Sequence, residues 1–448
     1  MSATRPRPVT WTAADAERWL LGLELFGMRF GLDRMRRLMT ALQMPNEAFH
    51  AIHVVGTNGK SSTARMIAAL LQRHGLRAGA YLSPHLVSFA ERILVGGREL
   101  SDDELAAALL RARRVTELVD RTLGEGDRVT QFEALTAAAY TQLAAARVDV
   151  AVVEAGLGGR WDATNVLDAQ VAVLTNVGLE HARWLGPTVA DIAREKLAVL
   201  APGATLVLGP DLHREAEQEA QLAAQRQGAE IVRAPSQPRL IAADFELLTR
   251  GDFQRRNFSV ACAAADALLA RLASGSCSLP SRGSVPGALR EETARAAAAS
   301  TRVPGRFEIV QRGDGVGEVV LDAAHNPAAV AALADTLRGH LAGRRLVAVV
   351  SVLDDKDAAS MLAELLALCA AAVFTTSANP RALSPATLAS LAGQLGAPAA
   401  TRVERDPRRA LAVARELAGA DGVVLATGSI YLIADLTRPA CAGRGSTL

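Results

Sequence analysis

The sequence is poor in cysteine and in long apolar runs. Its four cysteines are scattered without a CxxC pair, so neither a disulfide framework nor a zinc knuckle is predicted. No segment reaches the ~18 uninterrupted apolar residues of a membrane-spanning helix. The stretch MSATRPRPVT leads into WTAADAERWL without the apolar core of a signal peptide. We therefore expect a cytoplasmic protein with no membrane partner. The cysteines are Cys262, Cys277, Cys369 and Cys441.

An excess of charge of one sign is also lacking. Lys and Arg together number 49 against 47 for Asp and Glu, which gives a formal net charge of +2. Such a balance provides no large field for attracting nucleic acid or an anionic membrane. We predict no nucleic-acid partner, and any binding of a polyanion must be local.

The chain alternates short β-branched runs with Ala/Leu-rich stretches of helical period. Examples are AIHVVG at 51–56, DVAVVEAG at 149–156 and AQVAVLTNVG at 169–178, each followed by helix-forming sequence. Runs that are apolar on both faces are typical of parallel strands buried by crossover helices. The predicted class is therefore α/β with a mostly parallel sheet.

The length of 448 residues and the hydrophobic fraction of 50% suggest two domains. The alternation breaks at about 271–303, where Ser, Gly, Pro and charge replace the periodic pattern. We place a linker there, between a domain at 1–300 and a smaller α/β domain at 301–448. In the second domain RFEIV, EVVLDAAH, RLVAVVSVL, AAVFTT and GVVLATGS are predicted to contain strands.

The segment HVVGTNGKSSTARMIAALLQRHG predicts a strand, a glycine-containing loop and an amphipathic helix. Glycines allow the loop N–H groups to turn inward, the helix N-terminus adds partial positive charge, and Lys60 can reach outer phosphates. The loop consists of Gly56, Thr57, Asn58, Gly59, Lys60, Ser61 and Ser62. Only two residues separate Gly56 from Gly59, where the common Walker pattern has about four. We predict that this loop binds the phosphates of ATP.

The short GTNGK loop resembles that of the Mur-type amide ligases. Further segments resemble one branch of them, the folylpolyglutamate/dihydrofolate synthases. They are YLSPHLVSFAERILVGG, TQFEALTAAAY, EAGLGGRWDATN, GLEHARWLG, IAREK, PGRFEIV, LDAAHNP and GSIYLIADL. The resemblance implies a P-loop Mur-ligase ATPase domain followed by a Rossmann-like domain. It also implies a monomeric ligase that uses ATP and Mg²⁺ to add L-glutamate to folates, and to dihydropteroate, through an acyl phosphate.

The resemblance also assigns residue roles. The catalytic positions are Lys60, Glu154, His181 and Lys196, and the metal-binding positions are Ser83, Glu154 and His181. Asn257, Arg306, Asp322 and His325 join Gly56 to Ser62 in contacting the nucleotide. The substrate positions are Ser83, Pro84, His85, Phe132, Asp162 and Asn165. Glu180 stands where the family usually has aspartate.

Elementary chemistry supports several of these roles. Glu154 and Asp322 each follow a predicted strand, where open α/β sheets place ligands, and a carboxylate is a suitable ligand for Mg²⁺. A guanidinium such as that of Arg306 grips phosphate oxygens in a bidentate way. In the family the lysine that matches Lys196 is carbamylated, a reaction that needs a neutral amine and hence burial.

Two other functions remain as alternatives. A Mur ligase of cell-wall precursor synthesis would need a further uridine-nucleotide domain, and the ~50 residues before Lys60 are too few for one. A non-catalytic ATP-binding regulator would have no need of Glu154, His181, Lys196 and Asp322 together. The expected function is therefore the folate ligase.

Overall fold

The computed structural model describes residues 11–24, 31–240, 245–275, 287–313, 316–396 and 400–438. Its strands form two separate sheets. The first contains β1 (His50–Val55), β2 (Ala78–Tyr81), β3 (Ile93–Val95), β4 (Arg98–Glu99), β5 (Val150–Glu154), β6 (Val171–Leu174), β7 (Thr205–Leu208) and β8 (Glu230–Arg233). The second contains β9 (Glu308–Gly313), β10 (Val316–Leu321), β11 (Leu346–Val350), β12 (Ala371–Phe374), β13 (Ala400–Val403) and β14 (Val423–Thr427).

The first sheet has the order β4-β3-β2-β5-β1-β6-β7-β8. Six of these strands run parallel, and β3 pairs antiparallel with both β2 and β4. Strand β1 lies between β5 and β6, with Val54 opposite Glu154 and Val55 opposite Leu174. The carboxyl ends of these three strands therefore meet at one edge, where ligands bind in open α/β sheets.

The second sheet has the order β13-β12-β11-β14-β10-β9. Five strands are parallel, and β9 joins β10 as an antiparallel edge strand. The segments after β10 and β11 therefore leave the sheet at the same edge, because β14, which lies between them, is parallel to both. The predicted class, α/β with a mostly parallel first sheet and a smaller second one, is confirmed.

Helices cover both faces of each sheet, which explains why the central strands are apolar throughout. The helices beside the first sheet are α1 (Ala13–Leu21), α2 (Asp33–Ala41), α3 (Lys60–Arg73), α4 (Asp102–Asp120), α5 (Gln131–Ala145), α6 (Ala182–Leu185), α7 (Val189–Leu197), α8 (Arg214–Gln227), α9 (Asp252–Ala273) and α10 (Glu291–Ala298). Those beside the second are α11 (Pro327–Leu341), α12 (Ala358–Leu366), α13 (Pro385–Gln394), α14 (Pro407–Ala418) and α15 (Ile430–Thr437). Short 3-10 helices span Pro45–Glu47 and Phe89–Arg92. We call β1–β8 with α1–α10 the first lobe, and β9–β14 with α11–α15 the second lobe.

The segment predicted as a linker is partly helical. Helix α9 continues to Ala273, and α10 occupies Glu291–Ala298 and packs with α3 in one apolar core. Residues 276–286 of that segment lie outside the described residues. The boundary near residue 300 falls between α10 and the second sheet, and it stays a prediction.

Two further sequence predictions concern cysteine and apolar helices. Cys262 and Cys369 are buried free thiols, while Cys277 and Cys441 lie outside the described residues. Among the helices that the structure describes, none combines the length and the apolar character needed to cross a membrane.

Candidate functional site

The phosphate loop connects β1 to α3, as the sequence predicted. Gly59 immediately precedes α3 with a φ of +81°, a left-handed conformation that favours glycine. A Cβ atom on Gly59 would lie 2.4 Å from Oδ1 of Asn257, which belongs to α9. The structure therefore brings Asn257 onto the loop, and the absence of a side chain at Gly59 makes this approach possible.

The segment that follows β6 holds the loop in shape. The N–H of Asn58 donates to Oδ1 of Asn176 at 2.9 Å, and Thr175 Oγ1 donates to the carbonyl of Asn58 at 2.7 Å. The N–H of Thr57 donates to the carbonyl of Asn176 at 3.0 Å, and its hydroxyl accepts from Gly178 N–H at 3.0 Å. The segment after β6 thus fixes the backbone of the loop that follows the neighbouring strand β1.

Two lysines meet at a single carbonyl of the loop. Lys60 Nζ donates to the carbonyls of Gly56 and Thr57, both at 3.1 Å, and Lys196 Nζ donates to the carbonyl of Gly56 at 2.8 Å. Lys196 comes from α7, far along the chain. Two lysine side chains from distant parts of the chain thus converge on one carbonyl of the loop.

Lys196 is buried, with 4% of its surface exposed. Burial, followed by the nearby charge of Lys60, lowers the pKa of Lys196 to about 7. A substantial fraction of its amine is therefore neutral at physiological pH. The burial that carbamylation requires is present.

Glu154 ends β5 and is 1% exposed. Its Oε1 accepts from the Ser61 hydroxyl at 2.8 Å, and its Oε2 accepts from the N–H of Ser83 at 2.9 Å. Burial raises the pKa of the Glu154 carboxyl, while the charges of Lys60 and Arg306 and its hydrogen bonds oppose that rise. Glu154 thus joins the phosphate loop to the segment after β2. Ser62, the next loop residue, is buried in the first turn of α3.

His181 precedes the short helix α6 and has a left-handed backbone with a φ of +54°. Burial lowers the pKa of His181 to about 4, so its imidazole is neutral at physiological pH and can act as a metal ligand. No three His, Cys, Asp or Glu side chains converge on a common point in the part of the chain that the structure describes. A metal here would need ligands from outside that set, such as hydroxyls, water or phosphate oxygens.

The second lobe contributes residues from the segments around β9 and β10. Arg306 is close enough to Glu154 and Asp322 for its charge to lower the pKa of both carboxyls against the opposing effect of burial. Asp322 accepts from the N–H groups of Phe307 and Ala324, both at 2.8 Å. His325 approaches Glu180 of the first lobe, with Nε2 3.3 Å from Oε1. Arg306 is therefore placed at the site, whereas Asp322 shapes the backbone around it.

The expected substrate positions fall into two groups. Phe132 is half-buried and stacks on Tyr81, with ring centroids 6.1 Å apart, and a Cβ on Gly156 would lie 2.7 Å from its ring. The flanking residues serve the fold. Glu133 caps α5 through Thr130. Phe132 lies between Thr130 and Glu133 in the first turn of α5, close to the loop that follows Glu154.

The other expected substrate residues are held inside the first lobe. His85 is 5% exposed, and its Nδ1 accepts from Arg92 Nε at 2.9 Å. Asp162 is buried and accepts from the N–H groups of Leu157 and Thr164. Asn165 donates its side-chain amide to the carbonyl of Arg160 at 3.1 Å. These contacts shape the loops, and the structure does not bring His85 to an open surface. Pro84, between Ser83 and His85, follows a cis peptide bond.

Sequence reasoning missed several residues that the structure places here. Asn326 pairs with Asn58 of the phosphate loop, and Lys356 forms an ion pair with Glu180 at 3.0 Å. One signal was available for Lys356. The sequence contains only three lysines, Lys60, Lys196 and Lys356, among its 49 basic residues. All three lie at this site, and every other basic residue is arginine.

Comparisons with known proteins point to one family. Residues 305–430 match the model of the Mur ligase glutamate ligase domain. The dihydrofolate synthase/folylpolyglutamate synthase of Mycobacterium tuberculosis is 35% identical over 86% of this chain and 82% of its own length. The enzyme of the same name from Bacillus subtilis is 32% identical over 95% of this chain and 98% of its own. The structure of M. tuberculosis folylpolyglutamate synthase complexed with ADP is 32% identical and superimposes with a TM-score of 0.83, covering 95% of this chain and 97% of that one.

Proposed function

The chain belongs to the dihydrofolate synthase/folylpolyglutamate synthase family, and from this relationship we infer that it is an ATP-dependent ligase that joins L-glutamate to folates and to dihydropteroate. The acceptor carboxylate takes the γ-phosphoryl group of ATP, glutamate nitrogen attacks the resulting acyl phosphate, and ADP and phosphate leave. The observation that carries the proposal is the meeting of Lys60 and Lys196 at the Gly56 carbonyl, near buried Glu154. We further propose a cytoplasmic monomer that acts on small molecules.

The phosphate loop would bind the triphosphate through groups that the fold already orients. The N–H groups at the start of α3 carry partial positive charge. The Lys60 ammonium group donates to the carbonyls of Gly56 and Thr57, and it would turn to the phosphate oxygens when ATP is present. Arg306, which approaches from the second lobe, would meet the charge that develops during transfer. Asn257, on the other side of Gly59, would contact the nucleotide.

The donor set fits a bound Mg²⁺. This ion is usually held by one or two carboxylates together with waters and substrate phosphates. Glu154, with Ser61 and Ser83 in contact with its carboxylate, offers such a partial set of oxygen ligands. We propose that Glu154, Ser83 and His181 hold the ion. When bound, Mg²⁺ neutralises phosphate charge and so favours phosphoryl transfer.

Lys196 would serve as a carbamate rather than as an ammonium group. Its pKa of about 7 allows the neutral amine nitrogen to bond to the carbon of CO₂ and to release a proton to solvent, which yields an anionic carbamate near the proposed metal site. The change from cation to anion would also remove the repulsion between Lys196 and Lys60.

The carbamate makes turnover depend on pH and bicarbonate. Below pH 7 Lys196 is mostly protonated, and each rise of one pH unit through the pKa of about 7 increases the ratio of amine to ammonium about tenfold. We expect CO₂-depleted enzyme at pH 8 to lose turnover and to regain it with bicarbonate, and to respond less at pH 6. Steady-state assays in degassed buffer measure this.

A permanently charged replacement provides the control. Lys196→Arg cannot form a carbamate, so its residual turnover should be the same with and without bicarbonate at both pH values. Equal bicarbonate responses in the wild type and in this variant would rule out a carbamate at Lys196.

On the acceptor side, Phe132 and Tyr81 present stacked rings near the glycine loop that follows Glu154. We propose that the flat pterin lies against Phe132, because aromatic faces attract one another in offset arrangements. The acceptor carboxylate would then extend toward Glu154 and Lys196. Asp162 and Asn165 would contribute indirectly, since they fix the loop around this position.

Acceptor-dependent turnover tests the function. Purified protein with ATP, Mg²⁺ and glutamate is expected to release ADP and phosphate only after addition of dihydropteroate or a reduced folate. Mass spectrometry should show a product heavier by one glutamyl residue. Parallel reactions with the two acceptors establish whether both activities are present.

The same turnover assay also tests the alternative function, a Mur ligase of cell-wall precursor synthesis. The relatives described above are named for folate chemistry, which does not favour that alternative. Turnover with uridine-nucleotide muramyl acceptors and none with pterin acceptors would replace the folate assignment by a cell-wall ligase. ATP binding without turnover on any acceptor would support a regulator.

A further inference from the structure

The carboxylate of Glu180 contacts two side chains of the second lobe. Glu180 lies in the first lobe, between β6 and α6, and its Oε1 is 3.0 Å from Lys356 Nζ and 3.3 Å from His325 Nε2. Lys356 follows β11 and His325 follows β10, so both side chains come from the second lobe. The side chains of Glu180 and Lys356 are each 10% exposed. This enclosed arrangement differs from a solvated surface ion pair, which contributes little.

The same contact reaches the phosphate loop. Asn326 Nδ2 donates to Asn58 Oδ1 at 2.9 Å and lies 3.4 Å from Glu180 Oε2. Asn58 Nδ2 donates in return to Asn326 Oδ1 at 3.2 Å. Because Asn326 also caps α11 by accepting from Ala329 N–H at 2.9 Å, its position is fixed within the second lobe. Docking of that lobe is therefore linked directly to the loop residue Asn58.

The identity of Lys356 is informative. Every basic residue of the chain other than the three lysines is arginine, and Lys356 is the only lysine after residue 196. An ammonium group is compact and donates three hydrogen bonds from one atom, whereas a guanidinium is wide and planar. In the enclosed space around Glu180, a compact cation can share one carboxylate oxygen with His325.

We propose that Glu180 is a positioning residue that docks the second lobe onto the phosphate loop, with Lys356, His325 and Asn326 as its partners. The inference rests on the proposed function only in taking ATP as the ligand that needs both lobes. Removing Glu180 or Lys356 breaks the ion pair between the lobes, whereas Lys356 keeps Asp355 of its own lobe at 3.4 Å. The loss therefore falls on the contact between the lobes and favours their separation. The apparent dissociation constant for such a ligand rises as the docked fraction falls.

Kinetics should separate this role from a general structural one. Glu180→Gln and Lys356→Met are each expected to raise KM for ATP at least ~10-fold, with a smaller change in kcat, because saturating ATP restores docking. KM for the folate acceptor, which is proposed to bind the first lobe, should stay within about twofold of wild type. The matched control is Glu117→Gln, which removes an exposed carboxylate paired with Arg113 on α4.

The double variant and direct binding complete the test. Glu180→Gln combined with Lys356→Met should weaken the binding of a non-hydrolysable ATP analogue no more than the worse single variant. Small-angle scattering should show a larger radius of gyration for each single variant than for Glu117→Gln. Additive losses, or an unchanged radius with unchanged analogue binding, would overturn the proposal. Because analogue binding and scattering need no acceptor, a failure of the folate assignment would leave this test intact.

Discussion

Replacing Lys60 with alanine is expected to lower kcat/KM for ATP by at least ~10³-fold while leaving the fold intact. Lys60 is the cation of the loop Gly56 to Ser62, and its ammonium group donates to the carbonyls of Gly56 and Thr57. Its loss removes charge that would be aimed at the transferred phosphoryl group. Because the side chain is only half-buried and joins no apolar core, thermal stability should change little.

The control for this variant lies on the same helix. Arg73→Ala removes an exposed basic side chain from the far end of α3, where it contacts Ser300, and should retain wild-type kinetics. Thermal unfolding and nucleotide titration of both variants separate folding from binding. A Lys60→Ala protein that is unfolded would show that the lysine is structural. Full turnover would remove the phosphate loop from the mechanism.

Replacing Glu154 with glutamine is expected to abolish the Mg²⁺ dependence of nucleotide binding and to reduce kcat by ~10²–10³-fold. The amide keeps the volume of the carboxyl group and one acceptor oxygen, but it carries no charge for a metal. Since burial disfavours the charged form of Glu154, as the raised pKa indicates, the variant should be at least as stable as the wild type.

Calorimetric titration with a non-hydrolysable ATP analogue, with and without Mg²⁺, measures this effect. In the wild type Mg²⁺ should strengthen analogue binding, whereas in Glu154→Gln the two titrations should coincide. Glu117→Gln again controls for loss of a carboxylate at a distant site. Retention of the Mg²⁺ effect in Glu154→Gln would place the metal on other ligands.

Local sequence was sufficient to place the loop between β1 and α3 and to locate the ends of the central strands. Gly56 to Ser62 lies between β1 and α3 as predicted, because the spacing of apolar residues and the turn requirements of glycine are local properties. Glu154 could be placed at the carboxyl end of β5 for the same reason. The less apolar strands were harder to recognise. Strand β8 lies at a sheet edge and none of its four residues is buried, so it lacks the buried run that reveals a parallel strand.

Single residues near the site illustrate where sequence reasoning ended. Phe132 could have been either core or ligand platform, and the structure shows it half-buried against Tyr81. His85 adjoins Ser83 in sequence, yet its ring packs at 4.4 Å from Phe89 in the interior. Residues 291–298 were taken as part of a linker, whereas α10 packs against α3. In each case the outcome depends on neighbours from other elements, which periodicity does not specify.

The sequence by itself determined the α/β class, the strand, loop and helix around Gly56 to Ser62, and the family to which the chain belongs. Only the tertiary structure decided the pKa of Lys196 and the ion-pair partner of Glu180. Lys196 contacts a carbonyl 140 positions away, and Glu180 contacts a lysine 176 positions away. Burial and charge pairing depend on such distant neighbours, and they set the pKa of Lys196 and the ion pair between Glu180 and Lys356. Composition and spacing do not show which of these residues meet, because only folding brings them within hydrogen-bonding distance.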